Sequence, residues 1–131
     1  MTIELALRSI LLADVSVFTL VDSRIYPGVL PERPQYPAIT YRQVSGRPAA
    51  THQGPIDPSR GRWQFDVFST DYQSTKDLAR LVIAALDGYK GDVAPHANIG
   101  ACLHINTLDI YDIILQTDKT STDFMILWSS I

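Results

Sequence analysis

The sequence has little of what catalytic and cofactor sites are usually built from. It contains one cysteine, Cys102, in 131 residues, so no internal disulfide can form and a reducing compartment is compatible with the fold. Its seven glycines are scattered, without the glycine-rich loop that binds phosphate. It also lacks the Gly-x-Ser-x-Gly motif of serine hydrolases. We therefore expect neither enzymatic activity nor a cofactor.

Metal ligands are scarce as well. His104 lies two residues after Cys102, which places both on one side of a strand, and His96 is close in sequence. Structural zinc needs four ligands from paired cysteine or histidine motifs, and a single cysteine does not supply them. Asp109 and Asp112 could pair as acid and base, but aspartates in turns more often cap the turn or face solvent. We expect no metal site.

Positive charge and long apolar runs are missing too. Eleven basic against fourteen acidic residues give a formal net charge of -3, which provides no general attraction to nucleic acid or to an anionic membrane. Glu4, Arg8 and Asp14 interrupt the most apolar region, so we expect no membrane span, and no basic segment precedes it as in a signal peptide. With 46% hydrophobic and 19% charged residues, the sequence predicts one globular domain, residues 1–131, used in the cytoplasm or in a particle assembled there.

The strongest structural signal lies between residues 61 and 91. Trp63, Phe65 and Val67 alternate with polar residues, which is typical of a strand with one buried face. Thr70 and Gln73 form a predicted capping box at the start of a helix. The apolar stripe of that helix consists of Leu78, Leu81, Val82, Ala85 and Leu86. Asp87-Gly88 and Gly91 are predicted to end it.

Other elements follow from similar patterns. Thr2 is the predicted cap of a first helix with a broad apolar face. We expect the sheet to cover this face, and cover by a neighbouring subunit as well is the less favoured alternative. A short second helix or turn follows at residues 17–21. Four prolines exclude a helix or central strand from residue 22 to residue 37. Further strands are predicted at Ala38–Gly46, Ile99–Thr107 and Thr122–Ser129. The last has apolar residues on both faces, so we expect it to be central or covered.

These elements predict an α+β fold with a mostly antiparallel four-stranded sheet, two main helices packed on one face and a long hairpin loop. The loop, residues 47–60, is much longer than the usual strand connection, which indicates a functional or mobile segment. Residues 108–121 are predicted to form a polar hairpin. The sheet face away from the helices should present Arg42, Gln64, Asp66 and Phe68, a mixture typical of a partner surface.

Four arginines lie at the ends of two strands that we predict to pair: Arg42, Arg47, Arg60 and Arg62. Three interpretations stay open: a solvated strand surface with Asp57 and Asp66 as ion-pair partners, a subunit contact, or, with little support in an acidic chain, a nucleic-acid contact. The predicted partner interface consists of Arg42, Arg47, His52, Asp57, Arg60, Arg62, Asp66 and Phe68.

The order and spacing of several segments resemble the tail-completion or tail-terminator (head–tail joining) proteins of long-tailed bacteriophages and related prophages, including the lambda-type tail terminator. These segments are Ile3–Arg8, Leu11–Asp14, Arg24–Pro27, Ala38–Gly46, His52–Pro55, Trp63–Val67 with the arginines before it, and the run to Leu86–Gly91. The likeness is close from Thr2 to Gly91, rests on pattern alone in the last two strands, and is weakest from Asp92 to Gly100.

The resemblance implies a structural subunit of a ring, commonly a hexamer, at the head-proximal end of the tail tube. Such a ring ends tail polymerisation and provides the head–tail joining interface. The implied partners are further copies of the chain, the tail tube protein and the head-completion or connector protein. DNA would pass through without specific binding, along a wall for which Asp109, Asp112 and Asp118 are the acidic candidates.

The resemblance implies no catalytic residues, cofactor or membrane partner. It places the protein in the virion tail, after assembly in the host cytoplasm. The alternative functions are another head–tail connector component and a monomeric α+β protein-binding module, which fold alone does not separate.

Overall fold

The computed structural model describes residues 2–51 and 54–129, and it describes side chains from Ile3 to Gly46 and from Ser59 to Ser129. The helices and strands in these residues are α1 (Thr2–Ala13), α2 (Val15–Val21), β1 (Ile25–Pro27), β2 (Ala38–Thr51), β3 (Gly54–Ser69), α3 (Tyr72–Leu86), β4 (Gly91–Val93), β5 (Ala97–Asp112) and β6 (Thr117–Ser129). The strands form one sheet in the order β1-β2-β3-β6-β5-β4. Neighbours are antiparallel except β1 and β2, which are parallel.

The α+β class is as predicted, but the prediction of four strands is wrong. The sheet is mixed, and its two additional strands, β1 and β4, are only three residues long. β1 lies in the proline-rich stretch, where Pro27 is tolerated because the strand is at the sheet edge. A third helix, α2, is also present. It forms where the sequence predicted either a short helix or a turn. Its N-cap is Asp14, whose side chain accepts a hydrogen bond from the Val17 amide.

The prediction of a long loop between residues 47 and 60 is wrong as well. β2 and β3 stay paired as far as Thr51 and Gly54, so this segment extends the hairpin as two strands. The prolines in it suggested a loop. β3 pairs with β6 only from Ser59 onward, so residues 54–58 have β2 as their one strand neighbour in the described sheet. Amides on the other side need no partner strand, which makes proline acceptable there.

The predicted polar hairpin at residues 108–121 is mostly strand, since β5 runs to Asp112 and β6 begins at Thr117. The turn between them is apolar: Ile113 is 80% and Ile114 is 92% exposed, and Leu115 is exposed too. Gln116, with φ 53°, completes the reversal. We call Ile113, Ile114 and Leu115 the apolar turn.

The helices cover one face of the sheet, as predicted, and the core lies between them and the strands. Trp63, Phe65 and Val67 are buried, which confirms the alternation read from the sequence. The ring of Phe65 stacks on Tyr41 with centroids 5.6 Å apart and meets Phe124 edge-on at 5.6 Å. We call the other side of the sheet the open face.

Helix α3 begins one residue later than the predicted capping box. Its N-cap is Asp71 rather than Thr70, because the Asp71 carboxylate accepts a hydrogen bond from the Ser74 amide at 2.8 Å. The predicted end is confirmed at Leu86, after which Gly88 takes a φ of +80° that favours glycine. In the described part of the chain, no helix combines the length and the apolar character needed to cross a membrane.

Candidate assembly surface

The β2–β3 register brings the predicted arginines together. Arg42 is paired with Gln64, and Arg62 with Ser45, while the backbone of Arg47 pairs with that of Arg60. Exposed Arg60 and half-exposed Arg62 border a shallow depression of about 350 Å³, which Ser45, Gly46, Gly61 and Met125 also line. The gathering of these residues along one hairpin is therefore confirmed at the level of register. Whether they form an interface stays a prediction.

The ion-pair partner of Arg62 is not one that the sequence indicated. Both its Nε and its Nη2 donate hydrogen bonds to Asp123 Oδ2 on β6, at 2.9 and 2.5 Å. The Arg62 side chain is 39% exposed, so this pair joins β3 to β6 at the edge of solvent. Asp66, a predicted partner of the arginines, has other partners, and the prediction for Asp57 falls on a side chain that lies outside the described residues. His52 lies outside them entirely.

Two predicted interface residues are buried within the subunit. Asp66 is 8% exposed, accepts a hydrogen bond from the Ser121 hydroxyl at 2.6 Å and lies 3.7 Å from Lys119 Nζ. Phe68 is 5% exposed and has the same ammonium group 5.7 Å from its ring centroid. The expectation that both residues lie open on the sheet surface is wrong. The side chains of Ser121 and Lys119 on β6 lie against Asp66, and Lys119 also lies against Phe68. Asp66 and Phe68 present little surface to a partner.

The three candidate acidic residues lie near one end of β5 and β6. Asp109 accepts hydrogen bonds from Tyr72 at 3.0 Å, Thr120 at 3.1 Å and Lys76 at 3.2 Å. Burial raises the pKa of this carboxyl, but the three hydrogen bonds and the charge of Lys76 outweigh burial, so the net pKa is lowered.

The other two acidic candidates lie close by. The Asp112 carboxylate accepts a hydrogen bond from the Leu115 amide at 2.9 Å and thereby caps the turn. Asp118 lies with Asp109 on a depression of about 140 Å³. A lumen position for the three carboxylates stays a prediction.

Cys102 and His104 lie on the same side of β5, as predicted, since they pair with Ile126 and Phe124. Burial raises the pKa of the Cys102 thiol to about 12, and the Asp87 carboxylate adds to the rise. His104 Nε2 is 2.7 Å from the Thr107 hydroxyl. Within residues 2–51 and 54–129, no three histidine, cysteine or acidic side chains come together as a metal site would require.

The most prominent exposed surface is one that the sequence analysis missed. Leu103, Leu108 and Ile110 of β5 are exposed and pair with Met125, Ser121 and Lys119 of β6, all on the open face. We call these three β5 residues the apolar strand face. The signal was present, because Leu108 and Ile110 alternate with Thr107, Asp109 and Tyr111, and this period of two predicts that the strand continues to Asp112.

A second apolar surface lies on the helical side. Leu5 of α1 and Val15, Phe18 and Leu20 of α2 are exposed, although the rest of α1 is largely buried. The broad apolar face predicted for the first helix is therefore only partly covered by the sheet and by α3. Exposed apolar groups on two different faces of one small domain are typical of a protein that is covered by partners on more than one side.

A comparison with protein families gives a match over residues 5–128, to the family described as tail completion protein gp17. No curated protein sequence matches the chain. Among solved structures, a chain of the virion of a native gene transfer agent particle has the same fold. The TM-score is 0.79 at 15% sequence identity, over 97% of this chain and 94% of that chain. Because the family match spans almost the whole sequence, the chain belongs to the tail completion protein gp17 family, as its resemblance predicted, and its role is a structural one in tail completion.

Proposed function

We propose that the chain forms a ring at the head-proximal end of a phage tail. There it ends polymerisation of the tail tube and provides the surface to which the head connector joins. Membership of the tail completion family supports this role, and the neighbour of the same fold comes from a virion. The observation that carries the proposal is the pair of exposed apolar surfaces, the apolar strand face on one side of the sheet and the outer side of α1 and α2 on the other.

A ring follows from surfaces that differ from each other. When a subunit uses one surface to bind a different surface of the next copy, the contact repeats head to tail. Such a contact gives a ring if the rotation closes and a filament if it does not. A protein that ends a tube must take the closed form, since an open contact would continue the polymer.

The two ends of the sheet also differ, as a joint between two structures requires. One end carries the apolar turn, and at the other end the β2–β3 hairpin extends past the end of β6. Subunits arranged in one orientation would give the ring two unlike rims, one for the tail tube protein and one for the head connector. DNA passes through without specific binding. The ring belongs to the virion tail, after assembly in the host cytoplasm.

The test combines solution mass with tail length. Light scattering on a sizing column across a wide concentration range should give one fixed multiple of the subunit mass for the free ring, and the protein should elute with purified tail tubes when these are added. Electron microscopy should show tubes of limited length when the protein is present and continued growth when it is absent. We expect Leu108→Asp to abolish the ring and leave the melting temperature of the subunit unchanged, because Leu108 is exposed. Ala84→Asp, at an exposed position on α3 that belongs to neither apolar surface, is the matched control.

The alternative functions give different outcomes. A chain that binds tube ends without limiting growth would be another connector component. A chain that stays monomeric at every concentration and does not bind tails would be a monomeric binding module. Either result would overturn the proposal.

A further inference from the structure

Strand β5 has a long free edge. β4 covers it only at Ala97–Ile99, and the loop after α3 covers the next part, where the Gly88 amide donates to Cys102 O at 2.7 Å and the His104 amide donates to Asp87. From Asn106 to Asp112 the described residues give β5 no neighbour on that side. This segment contains neither proline nor lysine, and its only charges are those of Asp109 and Asp112, so it can pair with another strand of suitable charge.

Strand β2 has a free edge at the opposite side of the sheet. β1 pairs with it only at Ile39–Tyr41, and the Gly28 amide donates the next hydrogen bond to Tyr41 O at 2.9 Å. From Arg42 to Thr51 the described structure gives β2 no neighbour on that side. The sheet of one subunit therefore ends in two partly uncovered edges.

The two free edges lie at diagonally opposite corners. Arg42 is at the level of Asn106, because Arg42 pairs with Gln64, Gln64 with Asp123, and Asp123 with Asn106. From this common level the free edge of β2 runs toward one end of the sheet, and that of β5 runs toward the other. The strands also run in opposite directions, so β2 of one copy beside β5 of the next would form an antiparallel pair.

The diagonal offset is of the same order as the width of the sheet, as a closed ring of tilted strands needs. At about 3.3 Å per residue, the centres of the two free edges are displaced by roughly 25 Å along the strands. Four strands at about 4.8 Å spacing are roughly 19 Å wide. Together these lengths correspond to a strand tilt of about 50°, somewhat steeper than the roughly 35–45° of closed barrels.

Charge selects the partner of each edge. β2 carries Arg42 and Arg47 and no acidic residue, whereas β5 from Asn106 to its end carries Asp109 and Asp112 and no basic residue. Pairing β5 with β5 about a two-fold axis would place acidic edges together, which is unfavourable across strands. Pairing β5 with β2 brings opposite charges together, although Asp109 already has Lys76 as a partner.

We propose that the free edge of β5 in one copy pairs antiparallel with the free edge of β2 in the next copy, so that the subunit sheets join into one continuous sheet around the ring. The inference rests on the proposed ring and specifies its contact. The irregularity between Gln43 and Ser45 and the lack of an amide proton at Pro48 limit which residues of β2 pair, and this restricts the register to a small number of alternatives.

Disulfide cross-linking tests the contact in the assembled protein. Ser45 and Ile110 are exposed, lie on the open face and belong to the two free edges. The double variant Ser45→Cys/Ile110→Cys, with Ser45→Cys/Leu108→Cys and Ser45→Cys/Asp112→Cys to scan the register, is oxidised and run on a non-reducing denaturing gel. Native Cys102 is buried and has a raised pKa, so it provides an unreactive background.

We expect one double variant to give a ladder of covalent multimers that ends at the subunit number of the ring. Ser45→Cys alone and Ile110→Cys alone should stay monomeric on the gel, because each edge meets a different edge. The matched control Ala84→Cys/Ile110→Cys pairs the β5 edge with an exposed position on α3 that belongs to neither apolar surface, and it should give no ladder.

The contrary results are distinct from each other. A dimer from Ile110→Cys alone would show β5 pairing with β5 and overturn the proposal. Rings that form normally but give no ladder in any of the three registers would overturn the edge pairing and leave the proposed function in place. A chain that forms no ring in solution or on tails would overturn both, and light scattering shows this before any gel is run.

Discussion

At the scale of single residues, the aromatic side chains of β2, β3 and β6 meet in one cluster around Phe65. Its ring is fully buried between Tyr41 and Phe124. We expect Phe65→Ala to lower the free energy of unfolding by about 3–5 kcal/mol, because it leaves a cavity and removes two ring contacts. Urea unfolding measures the change. The control Val29→Ala, at an exposed position, should stay within about 0.5 kcal/mol of the native chain, and an equal effect of both variants would contradict the argument.

The pair of Arg62 and Asp123 is a second single-residue contact, and it joins β3 to β6. Because Arg62 is partly exposed, solvent screens the pair, and we expect a coupling free energy of about 0.5–1 kcal/mol. A double-mutant cycle with Arg62→Met and Asp123→Asn measures it by urea unfolding. Strictly additive effects of the two substitutions would show that the ion pair adds nothing to stability.

These two contacts differ in how far the sequence predicts them. The burial of Phe65 follows from the alternation of its own strand, which is a local pattern. The partner of Arg62 is 61 positions away in the chain and depends on β6 lying beside β3, which no local pattern gives. The position of Arg62 on its strand was therefore predictable, whereas its partner Asp123 was not.

At the scale of the element, α3 is held by its N-cap. We expect Asp71→Ala to lower the melting temperature by a few degrees, because the Ser74 amide loses its acceptor. Thr70→Ala should have little effect, since Thr70 is not the N-cap. Thermal unfolding followed by circular dichroism compares the two variants. If Thr70→Ala lowered the melting temperature more than Asp71→Ala, Thr70 would be the N-cap, as the sequence predicted.

Acid should weaken the attachment of α3 to β5. Hydrogen bonds from Ser74 lower the pKa of Asp71, and those from Tyr72, Lys76 and Thr120 outweigh burial and lower the pKa of Asp109. A lowered pKa means that the folded chain binds fewer protons than the unfolded chain, so the stability from these groups is present above the ordinary value of 3.8. This stability is lost as the pH falls through the lowered pKa values of Asp71 and Asp109.

Melting temperatures between pH 7 and pH 2 test this dependence. Below about pH 4, we expect the melting temperature of Asp109→Asn to fall less steeply with pH than that of the native chain, because one of the two carboxyls with a lowered pKa is gone. Asp92→Asn, at an exposed position on β4, is the control. A native-like slope in Asp109→Asn would contradict the assignment.

The elements that the sequence missed share a physical cause. β1 and β4 have three residues each, too few for a periodic pattern, and they are strands only because β2 and β5 pair with them. The distal β2–β3 segment was misread because proline is tolerated where a strand lacks a second neighbour. The periodic part of β3 from Arg62 onward and the body of α3 were predicted correctly, because each buries one face by its own spacing.

At the scale of the whole molecule, the apolar turn lies at one end of the sheet, while the edges that we propose to join subunits run along its sides. This separation allows attachment and ring closure to be tested apart. The double variant Ile113→Asp/Ile114→Asp adds charge to two side chains that face solvent in the subunit, so we expect normal folding and a normal ring mass. One of the two attachments should fail, because a charge buried at an apolar contact has no partner.

Electron microscopy of assembly mixtures distinguishes the two rims. Overgrown tubes would show that the apolar turn binds the tail tube. Tails of normal length that do not join heads would show that it binds the head connector. Ala84→Asp, at an exposed position on α3, should disturb neither step, since Ala84 is not part of the turn. If the double variant also lost its ring, the turn would lie between subunits, and the edges of the sheet would not be sufficient to close the ring. If both attachments survived, the apolar turn would have no part in either, and the unlike rims would need another basis.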